Sequence, residues 1–271
     1  MSTVWAQLEE FIIADRSHVG RESVSCISPP RPRIASWVLA GVLTAGACTP
    51  ATDAPASAPE LAAARTALLK ELGTQGITDA RVLSAMARVP REQFVRQQDR
   101  ARAYANQALP IGGGQTISQP YIVALMSQLL ELRGDERVLE VGTGSGYQAA
   151  VLALLAREVC SIEIDAGLAE SAGARLRALG YTTVSVRAGD GFYGWEEAAP
   201  FDAIIVTAVA PHIPQRLVDQ LKPGGRLVMP LGDGTKQALI RGRKQDGSLR
   251  TERVADVMFV PMTGAVRSPS P

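Results

Sequence analysis

Histidine, cysteine and an excess of either charge are what this sequence has least of. The 271 residues include only two histidines and three cysteines, and no two cysteines form a C-x-x-C pair. Zinc and iron–sulfur sites need such ligand sets, so we expect no metal. The 28 basic and 27 acidic residues leave a formal net charge of +1. A chain this close to neutral has no broad electrostatic surface for nucleic acid, so we expect no nucleic-acid partner.

Long hydrophobic runs are also missing. The apolar run from 34 to 47 is too short for a transmembrane helix, so we expect no stable membrane span. The run follows two arginines, and Ala45-Gly46-Ala47-Cys48 at its end resembles the cleavage box of a lipoprotein signal. More than thirty residues precede the run, which is unusual for such a signal. We expect a cytoplasmic protein, with export or lipid attachment through Cys48 as the alternative.

Composition divides the chain in two. Residues 1–58 contain the signal-like run and a Pro/Ala/Ser stretch, and we expect them to be an extension that is disordered or signal-like. Residues 59–271 have the composition and length of one folded domain. Within this domain, apolar residues at helical spacing from 61 to 72 predict a first helix that ends at Gly73, and a second helix is predicted at 79–88.

Strands and helices alternate from Arg137 onward. Strand-like runs lie at 137–141, 158–163, 183–188, 202–207 and 225–230, and helix-like segments lie at 146–156, 166–179 and 214–221. This alternation is typical of a parallel sheet covered on both faces. We interpret Pro223-Gly224-Gly225 as the stop between a helix and the next strand. Two later runs, near 237–243 and 253–260, predict antiparallel edge strands. The predicted fold is an α/β, Rossmann-like sandwich with a mostly parallel central sheet and an N-terminal helical addition.

The most informative segment runs from Val138 to Tyr147, where an apolar strand meets a Gly-x-Gly-x-Gly turn and the start of a helix. Gly142 and Gly144 allow a sharp turn close to a ligand, and Gly146 lets the following helix lie close against the strand. The spacing differs from the Gly-x-Gly-x-x-Gly of dinucleotide folds, whose third glycine accompanies a pyrophosphate. The turn therefore favours a nucleoside ligand without phosphates.

S-adenosylmethionine meets this description, because its cationic sulfonium and amino-acid tail favour carboxylates over an anion site. Acidic residues lie at the ends of three successive strand-like runs. Glu163, about 20 residues beyond the turn, lies where a ribose diol is normally bound, and Asp190 is a candidate for the adenine amino group. The predicted cofactor-binding residues are Glu140, Gly142, Thr143, Gly144, Ser145, Gly146, Glu163, Asp190, Gly191 and Thr207.

The segment Ala108–Tyr121 is too unusual to be generic. Four other segments accompany it, namely Val89–Val95, Gly144–Gln148, Gly189–Gly191 and Phe259–Pro261. Together they resemble the motifs of protein-L-isoaspartate (D-aspartate) O-methyltransferases, a family of class I methyltransferases, and the resemblance covers the chain from about residue 59 to 265. The resemblance implies methyl transfer from S-adenosylmethionine to isoaspartyl carboxylates in damaged proteins and peptides, followed by closure to a succinimide that reopens partly to aspartate.

The resemblance also implies roles for the segment Thr116-Ile117-Ser118-Gln119. Ser118 is the residue that the family pattern assigns to catalysis, and Thr116, Ile117 and Gln119 would contact the substrate. An acceptor carboxylate with a reference pKa of about 4 is ionised at neutral pH, so no general base is needed. An alternative interpretation makes Ser118 the N-cap of a helix that starts near Pro120.

Two other functions stay open on sequence alone. The fold hosts many acceptors, so another carboxylate or a small molecule is an alternative substrate. The signal-like segment also allows a non-catalytic, exported binding protein of the same fold. The presence of Glu163, Asp190 and Ser118 favours an active enzyme, which we expect to be a monomer.

Overall fold

A central sheet and a small hairpin account for the strands in the part of the chain that the structure describes. The computed structural model describes residues 56–234 and 236–267, so the signal-like run and Cys48 lie outside the described residues. The strands are β1 (Leu109–Gly112), β2 (Gln115–Ile117), β3 (Arg137–Val141), β4 (Glu158–Glu163), β5 (Val184–Ala188), β6 (Phe201–Val206), β7 (Leu221–Asp233), β8 (Lys236–Gln245) and β9 (Ser248–Asp256). The helices are α1 (Ala58–Thr74), α2 (Ala80–Arg88), α3 (Pro120–Leu129), α4 (Tyr147–Ala153), α5 (Ala166–Ala178) and α6 (Gln215–Asp219).

The seven-stranded sheet has the order β5-β4-β3-β6-β7-β8-β9. Strands β3 to β7 pair in parallel, and the buried strands β3, β4 and β6 coincide with the continuous apolar runs of the sequence. The chain builds the sheet outward from β3 to β5 and then returns to place β6 on the other side of β3. The strand order therefore reverses between β3 and β6, which is where open α/β sheets bind ligands.

The predicted antiparallel edge is confirmed, because β8 pairs antiparallel with β7 and β9 with β8. The predicted stop at Pro223–Gly225 was wrong. Helix α6 ends at Asp219, and β7 already begins at Leu221 and contains the Pro-Gly-Gly segment. Leu221 pairs with Phe201, and a register shift between Phe201 and Ala203 accommodates the Pro-Gly-Gly segment within the strand pair.

The N-terminal helical addition begins with two capped helices at the predicted positions. Helix α1 starts with a capping box in which the backbone N–H of Ser57 donates to Glu60 at 2.7 Å. It ends one residue beyond the predicted stop at Gly73. Asp79 caps α2 by accepting from the N–H of Arg81 at 2.8 Å. No helix in the described part of the chain has the length and hydropathy needed to cross a membrane.

Strands β1 and β2 form a hairpin of their own, separate from the large sheet. Gly112 ends β1, and Gly113 and Gly114 form the turn; all three have positive φ angles. This backbone conformation explains why three successive glycines occur there. A Cβ on Gly144 would lie 3.5 Å from Cδ1 of Ile111, so the hairpin lies directly over the glycine turn that follows β3.

Candidate functional site

A cavity opens at the carboxyl ends of β3, β4 and β6. It lies beside the reversal of strand order, where open α/β sheets bind their ligands. The glycine turn, the β2 hairpin strand and the segment 260–263 form its wall. The sequence-predicted residues that the structure brings together there are Gly142, Thr143, Gly144, Ser145, Glu163, Gly191, Thr207, Thr116, Ile117 and Ser118.

Neighbouring side chains approach two glycines of the turn closely. Gly142 has φ +99°, and a Cβ there would lie 2.3 Å from Oγ1 of Thr207. The Thr207 hydroxyl donates to the carbonyl oxygen of Gly142 at 2.7 Å and joins the turn to the end of β6. A Cβ on Gly146 would lie 3.2 Å from Cδ1 of Leu176. The absent side chain of Gly146 therefore leaves room for helix α5. The sequence had instead predicted that this glycine lets α4 lie close against the strand. Gly146 lies outside the cavity wall.

Glu163 ends β4 and lies in the cavity wall with only 6% of its surface exposed. One carboxylate oxygen accepts from the N–H of Gly144 at 2.8 Å, and the other accepts from the N–H of Asp165 at 3.1 Å. These bonds fix the carboxylate against the glycine turn. Each oxygen retains capacity for a further hydrogen bond from a ligand hydroxyl.

Glu140 lies beneath the glycine turn and outside the cavity wall. Its side chain is fully buried and accepts from the hydroxyl of Ser161 at 2.5 Å, and Ser161 shares a 2.6 Å hydrogen bond with Thr143 of the turn. Within the described residues, its second oxygen has no hydrogen-bond partner. Burial raises the pKa of Glu140 to about 8; the Ser161 bond opposes this shift and the nearby Glu163 charge adds to it. Burial therefore favours the protonated form of this carboxyl.

Asp190 follows β5, and both of its carboxylate oxygens are bound to backbone. Oδ1 accepts from the N–H of Phe192 at 2.9 Å, and Oδ2 accepts from the N–H of Ala265 at 2.7 Å. The side chain lies outside the cavity wall, whereas the adjacent Gly191 forms part of that wall. A Cβ on Gly191 would lie 2.2 Å from Cγ1 of Val141, so only glycine fits against β3.

Ser118 lies in the cavity wall immediately after β2. The alternative interpretation of Ser118 as a helix cap was wrong, because Gln119 occupies the N-cap position of α3 and no side chain caps that helix. Pro120 at the first helical position has no N–H, which reduces the need for a cap. Gln119 is outside the cavity wall. The carbonyl oxygen of Ser118 accepts from the guanidinium of Arg91 at 2.8 Å.

The C-terminal part of the wall was missed by reasoning from the sequence. Val260, Pro261, Met262 and Thr263 line the cavity. The N–H of Met262 donates to the carbonyl oxygen of Val209 at 2.8 Å, which holds this segment beside the end of β6. The segment Phe259–Pro261 was part of the family resemblance, but neither periodicity nor spacing indicated that it faces the ligand cavity.

Comparisons with known proteins agree with this fold. The family model described as protein-L-isoaspartate(D-aspartate) O-methyltransferase (PCMT) matches residues 63–267. Protein-L-isoaspartate O-methyltransferase 2 of Syntrophobacter fumaroxidans is 56% identical over 188 residues, which cover 69% of this chain and 76% of the relative. Protein-L-isoaspartate O-methyltransferase 1 of Cupriavidus necator is 47% identical over 245 residues, which cover 88% and 94% of the two chains.

The fold is also similar to that of a solved structure from the same family. The PCMT of Plasmodium falciparum, crystallised in complex with S-adenosyl-L-homocysteine, superposes with a TM-score of 0.65 and 27% sequence identity. The similarity covers 73% of this chain and 98% of that one. The family model, the curated relatives and the solved structure agree, and the chain belongs to the protein-L-isoaspartate(D-aspartate) O-methyltransferase family.

Proposed function

We propose that this protein transfers the methyl group of S-adenosylmethionine to the free carboxylate of L-isoaspartyl residues, and less readily D-aspartyl residues, in damaged proteins and peptides. The ester product closes to a succinimide, which reopens partly to normal aspartate. The observation that carries the proposal is a cavity at the reversal of strand order whose wall contains Glu163, the glycine turn and Ser118 together. Donor and acceptor can meet there.

The residues of the cavity fit the methyl donor. Glu163 presents a fixed carboxylate to ribose hydroxyls, and the glycine turn allows close approach of the backbone. The described cavity wall contains no lysine or arginine that would pair with phosphates. When bound, S-adenosylmethionine supplies a methyl group activated by its positive sulfonium. We assign donor binding to the residues predicted from the sequence. Three of them act from outside the cavity: Glu140 and Gly146 support the glycine turn, and Asp190 supports the cavity wall.

Ser118 is our candidate catalytic residue, with Thr116 and Ile117 beside it in the acceptor part of the wall and Gln119 just beyond. The acceptor carboxylate is ionised at neutral pH, so the chain has no proton to remove. The Ser118 hydroxyl orients the carboxylate for in-line attack, and the surrounding wall excludes water. A stronger donor would stabilise the ground state as much as the transition state and would not raise turnover.

Transfer of labelled methyl from S-adenosylmethionine to a matched pair of peptides tests the function. The two peptides differ only in carrying isoaspartate or aspartate at one position. We expect label on the isoaspartyl peptide alone. Label on both peptides, or donor binding without transfer to either, would mean that the acceptor is another group.

We further propose a cytoplasmic monomer without a nucleic-acid partner, whose methyltransferase domain is residues 59–271 and whose residues 1–58 are an extension. The methyl donor is made in the cytoplasm, which supports this location. Export or lipid attachment through Cys48 is the alternative. Fractionation of cells that express the native chain and a Cys48→Ser variant separates the two, because only lipid attachment makes the membrane fraction depend on Cys48.

A further inference from the structure

Arg91 is a fully buried arginine in the Val89–Val95 motif, to which the proposed reaction assigns no role. Its Nε donates to the carbonyl oxygen of Ala103 and its Nη2 donates to the carbonyl oxygen of Ser118, both at 2.8 Å. The guanidinium lies 4.6 Å from the ring centroid of Tyr147. Both Ser118 and Tyr147 line the cavity, so Arg91 lies behind the part of the cavity wall that these two residues form.

No carboxylate neutralises Arg91 in the described part of the chain, where it forms no ion pair and its Nη1 has no hydrogen-bond partner. The ionisable groups around it are the two tyrosines Tyr147 and Tyr104. The nearest acid on its own segment, Glu92, accepts the hydroxyl of Tyr104 at 2.5 Å, and Arg65 lies over the Tyr104 ring. Burying a cation without an anion carries a large desolvation free energy. Arginine stays protonated in proteins, so it does not lower this free energy by becoming neutral.

We propose that Arg91 is a positioning residue whose positive charge is balanced by the carboxylate of the isoaspartyl substrate, across the layer formed by Ser118 and Tyr147. The inference rests on the proposed function, because it needs an anionic acceptor in the cavity. The described wall contains no lysine, arginine or histidine that could balance this anion directly. Arg91 is the cation bonded to the backbone of the candidate catalytic residue.

The separation of Arg91 from the cavity suits the chemistry of the reaction. Methyl transfer joins a carboxylate oxygen to the methyl carbon, breaks the bond from that carbon to sulfur, and turns two opposite charges into a neutral ester and a thioether. A cation in direct contact would hold the carboxylate charge and oppose its loss in the transition state. A cation behind one layer of protein keeps the bound acceptor ionised and leaves its oxygen lone pairs free for attack.

Two substitutions separate the charge of Arg91 from its hydrogen bonds. Arg91→Gln removes the charge and retains a donor toward the Ser118 carbonyl, whereas Arg91→Lys retains the charge and loses the planar fork. We expect the acidic limb of the kcat–pH profile to move up by about one unit in Arg91→Gln, together with an about tenfold higher KM for the isoaspartyl peptide. In Arg91→Lys we expect the acidic limb of the kcat–pH profile to stay at the pH of the native protein. In both variants we expect the Kd for S-adenosylmethionine to equal that of the native protein.

A fall of kcat at every pH with an unmoved acidic limb, or the same shift in both variants, would overturn the proposal and leave Arg91 a scaffold residue. Absence of methyl transfer by the native protein would instead count against the proposed function.

A measurement on the native protein guards against loss of folding in Arg91→Gln. With S-adenosylhomocysteine bound, calorimetry compares the isoaspartyl peptide with the same peptide carrying neutral isoasparagine. We expect the neutral peptide to bind at least about tenfold more weakly, and the affinity of the charged peptide to persist down to its free carboxyl pKa of about 4. Equal affinities for the two peptides would refute a charge balance with Arg91.

Discussion

Asp190 accepts a hydrogen bond from the backbone N–H of Ala265 at 2.7 Å, and this bond ties the loop after β5 to the C-terminal segment. The residue before Ala265 is Gly264, where a Cβ would lie 2.4 Å from the same carboxylate oxygen. The adjoining residues 260–263 form part of the cavity wall. Asp190 therefore supports the wall through the C-terminal segment, in addition to the donor contact predicted from its position after β5.

The Asp190 contact can be broken from either side. Asp190→Asn weakens the acceptor, and Gly264→Ala forces the two groups apart and strains a residue with φ +90°. We expect both variants to raise amide hydrogen exchange in residues 259–265 and the KM for the isoaspartyl peptide, because a bond to a charged acceptor contributes about 1.5–3 kcal/mol. Mass spectrometry of exchanged peptides measures the first effect and steady-state kinetics the second.

Asp256→Asn is the matched control for Asp190→Asn, since Asp256 is exposed and its partner is the exposed Arg253. If Asp190→Asn weakened donor binding while exchange in residues 259–265 stayed native, the carboxylate would serve the donor and not the wall.

The sequence predicted what depends on local periodicity and failed where distant segments meet. Strands β3, β4 and β6 were predicted within one residue because a buried parallel strand is a continuous apolar run. The start of β7 was predicted wrongly because Pro-Gly-Gly usually ends a helix, and only pairing with β6 shows that the strand already runs through it. The Arg91–Ser118 and Asp190–Ala265 bonds join residues 27 and 75 positions apart, which no pattern along the chain records.

Removing the carboxylate of Glu163 should weaken donor binding. Glu163→Ala takes away the acceptor proposed for the ribose and the bond that holds Gly144. We therefore expect the Kd for S-adenosylmethionine to rise about 5- to 150-fold, equivalent to about 1–3 kcal/mol. Titration calorimetry measures the Kd. Glu158→Ala, at the opposite end of β4 in a partly exposed ion pair with Arg137, should leave donor affinity unchanged. An unchanged Kd in Glu163→Ala would remove Glu163 from the donor site.

Substitution of Ser118 should separate turnover from donor binding. In Ser118→Ala the hydroxyl is lost while the carbonyl bond to Arg91 remains, so we expect kcat to fall about tenfold or more and the donor Kd to stay within about twofold of native. Single-turnover methylation and calorimetry provide the two values. Ser248→Ala, at the exposed start of β9, is the control. Equal losses in turnover and donor affinity would indicate that the whole segment had moved.

The raised pKa of Glu140 makes stability depend on pH in a predictable direction. Its carboxyl has a pKa of about 8 in the folded protein against an ordinary value of 4.5. Below pH 4.5 the group is protonated in both states, and between pH 4.5 and 8 the unfolded chain loses its proton first. The free energy of unfolding therefore falls as pH rises through this window, with a slope of up to about 1.4 kcal/mol per pH unit from this group.

Glu140→Gln removes this titration and keeps an oxygen that accepts from Ser161. We expect the variant to gain stability relative to the native protein as pH rises from 5 to 8. Urea denaturation at each pH measures the free energy of unfolding of both proteins. Other titrating groups contribute equally to both proteins and cancel in the difference. Parallel stability curves across this range would show that Glu140 is already ionised in the fold, so that its charge is held by the Ser161 and Thr143 hydroxyls beneath the turn.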